Sequence, residues 1–153
     1  MPSAPSASDL TAHLGYWLRY VSNHVSQPFA RKVEARGVTV AEWVLMRQML
    51  EEKPIAPSVL ADRMGMTRGA ISKLADRLIA KSMLTRSADP NDGRAQTLAL
   101  TSAGRALAPS LAALADANDI EFFKHLTATE RAELLRLLRK LVEKNRFKSS
   151  PVD

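Results

Sequence analysis

The sequence has no cysteine among its 153 residues, and only six glycines. The absence of cysteine excludes a disulfide framework and a thiol-based redox sensor, and it fits a reducing cytoplasm. Three histidines without cysteine argue against a structural zinc site, so we expect no metal or cofactor. No apolar run approaches the roughly 18 residues that span a bilayer, and the opening MPSAPSASD lacks the basic and apolar regions of a signal peptide. The sequence therefore predicts a cytoplasmic protein without a membrane partner.

Catalytic motifs are lacking as well. His13 and His24 are eleven residues apart, about 16 Å along a helix, which is too far for one metal ion, and His125 is remote from both. The sequence shows no glycine-rich phosphate loop and no nucleophile paired with a base. We therefore expect a protein that is not an enzyme.

The charge of the chain is positive and partly concentrated. The net charge is +6, and residues 63–94 carry seven basic and three acidic side chains. A basic balance favours polyanionic partners. The local excess is moderate, which suits sequence readout better than binding by charge alone.

The first predicted helix runs from Asp9 to about Arg36 and ends before Gly37, with Pro28 as a possible bend. Its apolar residues recur every three or four positions, which makes one continuous stripe. The stripe is longer than one small domain usually covers, so it suggests that a second chain shares it. Its members are Leu10, Leu14, Trp17, Val21, Val25, Phe29 and Val33.

Capping signals predict three further helices. Thr39 and Glu42 form a capping box that starts a helix reaching about Glu52. A short helix is predicted over Pro57–Met64, with Gly65 as the following turn. Thr67 then caps a helix whose inward residues recur at helical spacing. Two helices joined by a short glycine turn have helix-turn-helix spacing. The inward residues are Ile71, Leu74 and Leu78.

A hairpin follows, with strands predicted at Leu84–Ala88 and Gln96–Thr101. The turn-forming run DPNDG lies between them, and its Asp-Gly pair is expected to hold Arg94 at the hairpin tip. Leu98 and Leu100 alternate with small or polar residues and are expected to be buried.

Two helices complete the chain. Thr101 begins the first of them, in which Pro109 is expected to cause a kink. A second capping box, Thr127 to Glu130, begins the last helix, which ends near Asn145. The order α-α-α-α-β-β-α-α predicts a mainly α chain. We expect a disordered lead (1–8), a helical dimerisation region (9–53 and 102–146), a DNA-binding lobe (54–101) and a frayed tail (147–153).

The outward face of the fourth helix combines donors with small residues, as reading of the DNA major groove requires. Thr67 and Ser58 could cap helices and hold phosphates at the same time. Arg94 suits a narrow minor groove, and Arg86 could contact the DNA backbone. Asp92 is expected to support the hairpin, or wing. The predicted DNA-binding residues are Ser58, Thr67, Arg68, Gly69, Ser72, Lys73, Arg77, Arg86 and Arg94.

From about Leu14 to Asn145 the chain resembles the MarR family of winged helix-turn-helix regulators. The resemblance is carried by LGYWLRYVS, TVAEW, PSVLADRMGMTRGAISKLADRLIAKSML and DPNDGRAQTLALTSAGR. One departure is Ser82, where the family usually has glycine. The resemblance implies a homodimer joined by the first and last helices. That dimer would bind a pseudo-palindromic operator in double-stranded DNA, typically as a repressor.

The resemblance also implies a small aromatic or phenolic anion that binds between the helical dimerisation region and the DNA-binding lobe. Its binding would release the DNA. Aromatic side chains could stack on such an effector, and histidine or arginine could hold its carboxylate. The candidate pocket residues are His13, Trp17, Tyr20, Trp43 and Arg47. The candidate dimer residues are Leu10, Leu14, Leu134, Leu138 and Leu141.

Two alternatives remain open. The chain could be a DNA-binding regulator without a small-molecule inducer. It could also be a helical protein-interaction module that presents its basic face to an acidic partner. Preference for one DNA sequence would separate the regulators from the interaction module.

Overall fold

The computed structural model describes residues 6–51 and 53–145. It contains six α-helices and a two-stranded antiparallel sheet within these residues, in the order that the sequence predicts. The predicted lead and tail lie largely or wholly outside the described residues. The elements are α1 (Leu14–Glu34), α2 (Val40–Met49), α3 (Pro57–Met64), α4 (Arg68–Ala80), β1 (Leu84–Asp89), β2 (Asp92–Leu100), α5 (Ser102–Phe123) and α6 (Ala128–Asn145).

The first helix begins later than predicted. The segment Leu10–Ala12 is a separate 3₁₀ turn, started by the side chain of Asp9, which accepts a hydrogen bond from the Thr11 backbone N–H. His13 has an extended backbone conformation, so it separates the 3₁₀ turn from α1. Pro28 lies inside α1 without ending it, and Gly37 has a φ of +87°, as a stop after a helix requires.

The capping predictions are mostly confirmed. Thr39 and Glu42 form both bonds of the capping box at α2, which ends at Met49 rather than near Glu52. Gly65 ends α3 in the left-handed conformation, with a φ of +61°. Thr67 Oγ1 accepts from Ala70 N–H at 3.1 Å and so starts α4. Thr101 caps α5 in the same way, and Thr127 forms a capping box with Glu130 at α6.

The core lies where α4 packs against α2, α3 and the hairpin. The predicted inward residues of α4 are buried, as are Leu98 and Leu100 of β2. Burial of these side chains supplies most of the driving force for the lobe. The main contributors are Leu45, Met46, Met49, Leu60, Met64, Ile71, Leu74, Leu78, Leu84, Leu98 and Leu111.

The hairpin is longer than predicted, and its tip differs. Leu84 pairs with Leu100, and the pairing continues to Asp89 opposite Asp92, with a bulge near Ala88. The turn is therefore formed by residues 90 and 91, and the Asp-Gly pair belongs to β2. The expected Asp-Gly turn at the tip is wrong, because Gly93 does not adopt a positive φ.

A backbone bridge that the sequence did not reveal ties the hairpin to the lobe. Ile55, just before α3, donates to the Leu98 carbonyl at 2.9 Å and accepts from the Leu98 N–H at 2.8 Å. β2 therefore has hydrogen-bond partners on both sides at Leu98. This bridge fixes the base of the wing against the helices.

The long apolar stripe of α1 is largely uncovered in the single chain. Trp17, a member of the stripe and a candidate pocket residue, is 47% exposed, and its Nε1 donates to the Thr11 carbonyl at 2.9 Å. Leu14 is 81% exposed, whereas Val33 at the other end is buried. The stripe therefore belongs to the core only near its C-terminal end. No described helix has the length and apolar character that a membrane crossing requires.

The junction between α4, β1 and α5 is tightly packed. Ser82 has a φ of +61°, which costs a residue with a Cβ about 1–2 kcal/mol relative to glycine. Thr101 Oγ1 donates to the Ser82 carbonyl at 2.7 Å, and Thr101 N–H donates to the Met83 carbonyl at 3.0 Å. A Cβ on Gly104 would lie 2.3 Å from the Met83 carbonyl oxygen. Position 104 therefore needs glycine because of close backbone approach.

We expect Gly104→Ala to lower the free energy of unfolding by about 3 kcal/mol, the upper end of the cost of overpacking. The added methyl group meets backbone, which cannot move aside as a flexible side chain can. Urea unfolding at fixed protein concentration measures the change. The neighbouring exposed Ser102→Ala serves as a control and should shift stability by less than about 0.5 kcal/mol. Equal stability of the two variants would contradict the packing argument.

Candidate nucleic-acid interface

Helix α4 presents one exposed, mostly small or basic face. Its opposite face is buried through Ile71, Leu74, Ala75 and Leu78, which fixes the rotation of the helix. Thr67 at its start is exposed and caps the helix by accepting from the Ala70 N–H in the first turn. The outward residues are all exposed, as predicted: Arg68, Gly69, Ser72, Lys73, Asp76 and Arg77.

Gly69 lies in the middle of this face. A Cβ built there would meet nothing closer than Thr67 Oγ1 at 4.0 Å. Glycine is therefore not required by the packing of the chain itself. It lowers the stability of the helix by about 1 kcal/mol relative to alanine.

The wing tip is rigidified by two aspartates. Asp89 Oδ1 accepts from the Asn91 N–H at 2.9 Å, and Asp92 Oδ1 accepts from the Arg94 N–H at 3.1 Å. Asp92 thus supports the wing through the backbone of Arg94. The Arg94 side chain is exposed near the tip, although it lies within β2 and not in the turn.

Two other predicted contacts have a different local setting. Arg86 Nη2 donates to Asp76 Oδ1 at 2.9 Å, so its guanidinium is engaged by α4. Ser58 is not a helix cap, because Ala56 occupies the N-cap position of α3 and Pro57 comes first in the helix. The expected capping role of Ser58 is therefore wrong. Its side chain is half-buried, and contact with a phosphate stays a prediction.

An ion pair between the buried Glu42 and the partly exposed Lys81 was missed by sequence reasoning. The Glu42 side chain is 1% exposed, and its Oε2 accepts from Lys81 Nζ at 2.7 Å. The same oxygen accepts from the Thr39 backbone N–H, so one carboxylate caps α2 and holds the C-terminal end of α4. The capping-box pattern located Glu42 correctly but gave no signal for a partner 39 positions away.

The candidate effector residues occupy two regions of one chain. Trp17 and Tyr20 are neighbours on α1, with ring centroids 6.3 Å apart. Trp43 packs edge-to-face on Phe29 at 5.2 Å. Phe29 is nine residues beyond Tyr20, about 13 Å along the helix axis. The single chain therefore does not bring all five residues around one small ligand.

Polar groups in the two regions differ in their partners. The Trp43 Nε1 is buried and has no hydrogen-bond partner among the described residues. Arg47 lies one turn further along α2, and its closest approach to Glu51 is a long 3.9 Å. His13 Nδ1, by contrast, lies 3.3 Å from the Leu10 carbonyl. An unpartnered donor and a loosely held guanidinium thus occur together only in the second region, on α2.

The candidate dimer residues leave apolar surface uncovered. Leu10, Leu14, Leu138 and Leu141 are exposed, and Leu134 is half-buried. Between α5 and α6 lies a groove of about 210 Å³, lined by Phe123, Leu135, Arg131 and Asp119 together with Leu134 and Leu138. Arg131 forms an ion pair with Asp119 at its edge.

The resolved pKa shifts lie away from the reading face, on α5 and α6. A hydrogen bond from Lys124 lowers the pKa of Glu121, and the Thr127 backbone N–H lowers the pKa of Glu130. The Arg136 guanidinium lowers the pKa of Glu133. These groups are exposed and their partners lie three residues away in sequence, so the shifts describe local helix chemistry.

Known proteins resemble this chain over most of its length. A model of the MarR family matches residues 36–95. The multiple antibiotic resistance protein MarR of Escherichia coli is 31% identical over 131 residues, 84% of this chain and 90% of that protein. An HTH-type transcriptional repressor of Mycobacterium tuberculosis is 29% identical over 130 residues, covering 85% and 94%.

The fold agrees with solved structures. A mutant E. coli MarR complexed with operator DNA superimposes with a TM-score of 0.79 at 27% identity, covering 88% of this chain and 99% of that one. This match includes the helix-turn-helix, the hairpin and the long flanking helices that the sequence predicted. The chain belongs to the MarR family of winged helix-turn-helix transcriptional regulators.

Proposed function

We propose that two copies of this chain form a homodimeric repressor that binds a pseudo-palindromic operator in double-stranded DNA. The observation that carries the proposal is the exposed face of α4, with Gly69, Ser72 and Lys73 beside the wing that carries Arg94. A capped helix with donors and no bulk at its centre suits the major groove. Arg94 on the neighbouring wing suits the negative potential of a minor groove. The operator-bound E. coli relative supports this docking.

The chain divides by task in this proposal. Residues 54–101 form the DNA-binding lobe, and residues 9–53 with 102–146 form the dimerisation region. The lobe supplies more than half of the residues of the buried core, which mainly α2 and α5 complete, and it has a backbone bridge at Ile55. The flanking segments instead carry the uncovered apolar side chains of α1 and α6. This contrast supports a division in which the dimerisation region, and not the lobe, binds a second copy of the chain.

Uncovered leucines support the dimer. Leu14 on α1 and Leu138 and Leu141 on α6 are exposed, and they lie on the two terminal segments of the described chain. Clusters of exposed large apolar side chains, such as Leu138 and Leu141 on α6, mark interaction sites. A second copy would supply the same stripe, so a two-fold arrangement can bury both.

A small aromatic or phenolic anion is the proposed effector. Trp43 supplies a buried N–H that has no acceptor within the described part of the chain, and Arg47 supplies a positive charge one turn away. A buried unsatisfied donor costs about 1–3 kcal/mol, which a ligand oxygen would recover. His13, Trp17 and Tyr20 would contribute only if the partner's α1 approaches this region. Binding would shift the population of dimers toward a lobe spacing that does not fit DNA.

Selection of bound duplexes from a random DNA pool, at near-physiological salt, tests the proposed function. We expect enrichment of an inverted repeat whose half-site centres are about 10 bp apart, one helical turn of DNA. Binding without an enriched sequence that disappears as salt rises would indicate charge attraction only. That outcome would favour the interaction-module alternative. An enriched operator unaffected by aromatic acids would favour a regulator without an inducer.

Gly69→Ala should separate stability from DNA binding. The added methyl group meets open space and improves helix propensity, so we expect a gain of up to about 1 kcal/mol in unfolding free energy. Operator affinity should nevertheless fall several-fold, because the methyl group would hold α4 away from the groove. The base contacts that this weakens are worth about 1–3 kcal/mol each. Gly15→Ala, another exposed helical glycine with open space around it, is the matched control. A Gly69→Ala protein that binds as tightly as the control would contradict the reading-helix assignment.

Leu138→Asp should break the dimer. A carboxylate at this apolar position would have to be desolvated in the interface, without a partner of its own. Light scattering across a dilution series measures the mass. Lys140→Asp places the same side chain on the opposite face of α6 and should leave the mass unchanged. A folded Leu138→Asp dimer would show that the interface lies elsewhere.

A further inference from the structure

The reading helix and the wing are joined by one ion pair, between Asp76 of α4 and Arg86 of β1. We propose that Arg86 is a positioning residue for DNA reading, held by Asp76, and that Asp76 raises specificity by keeping this guanidinium from the phosphates. The inference rests on the proposed DNA-binding function. It replaces the sequence-based expectation that Arg86 meets the DNA backbone directly.

The strand register determines where Arg86 points. Arg86 is paired with Leu98, and Leu84, two residues earlier, is paired with Leu100. All three leucines are buried, and side chains at alternate positions share one face of a strand. Arg86 therefore lies on the face of the hairpin that packs on the lobe. Its side chain is only 30% exposed, and the guanidinium reaches α4 across the edge of the core.

The position of Asp76 gives the ion pair its consequence. Asp76 is four residues beyond Ser72 and seven beyond Gly69, so it continues the outward face of α4 by one turn. Its side chain is 64% exposed. An unpaired carboxylate on a surface facing phosphates would repel DNA. Paired with Arg86, it becomes a neutral link that sets the offset between helix and wing.

The same geometry predicts what loss of the acid would do. Without Asp76 the Arg86 guanidinium has no partner on α4 and can swing toward a phosphate. One additional phosphate contact makes the slope of log K against log salt steeper by about 0.9, whatever the DNA sequence. Affinity for scrambled DNA would then rise more than affinity for the operator. Specificity would fall although total affinity increases.

The test measures affinity for the selected operator and for a scrambled duplex over a series of salt concentrations. Asp76→Asn should bind the scrambled duplex several-fold tighter, with a slope steeper by about 0.9. Asp62→Asn makes the same charge change at an exposed position of α3 and should leave the slope nearly unchanged. In Asp76→Asn/Arg86→Gln, which keeps the net charge of the pair, the steepening should disappear.

Three results would overturn the inference. Arg86→Gln could flatten the salt slope as much as Lys73→Gln does, which would make Arg86 a direct phosphate contact. Asp76→Asn could change the salt slope no more than Asp62→Asn does. The steepening could also persist in the double variant, which would assign it to the charge of Asp76 alone. Failure of the proposed function looks different, because the parent protein would then show no preference for the operator over the scrambled duplex.

Discussion

Burial of the inner face of α4 is the constraint on which the rest of the interface depends. Ile71 and Leu78 are completely buried, so the helix cannot rotate without exposing them to water. Because this burial sets the rotation of the helix about its axis, it also determines that Gly69 and Lys73 face outward. The reading surface is therefore a consequence of core packing. It needs no ligand to form.

The wing is built onto this helix by backbone contacts. Gly104 allows α5 to approach the Met83 carbonyl, and the Ile55 bridge holds β2 at Leu98. Both contacts lie at the base of the hairpin, whereas its tip depends on the aspartate bonds to its own backbone. The Asp76–Arg86 pair lies at the same level as the Ile55 bridge, because Arg86 is paired with Leu98. The base of the wing is therefore held by backbone contacts and by an ion pair together.

Local rules predicted most of the fold, and long-range contacts account for what they missed. Thr39, Thr67 and Thr101 were found because a cap involves residues within three positions. The Glu42–Lys81 pair and the Ile55 bridge join residues about 40 apart, which periodicity and turn chemistry do not address. The apolar pattern that includes Trp17 predicts a buried face of the first helix, but it does not show which chain covers that face. The motif DGR predicted an exposed Arg94, but Arg94 lies within β2 because the turn uses the preceding pair, residues 90 and 91.

The distribution of rigid and uncovered parts suggests where regulation acts. Within the lobe the caps are already formed, and the helix and wing are already linked, so DNA binding needs little rearrangement there. The uncovered surfaces lie instead on α1 and α6, and Trp43 keeps an unpartnered donor on α2, one residue from the carboxylate that holds Lys81. A ligand that shifts α2 would move α4 as a unit through this ion pair. In the proposed dimer, such a ligand would change the spacing between the two DNA-binding lobes, which stay intact. A wrong spacing along DNA affects every base contact at once.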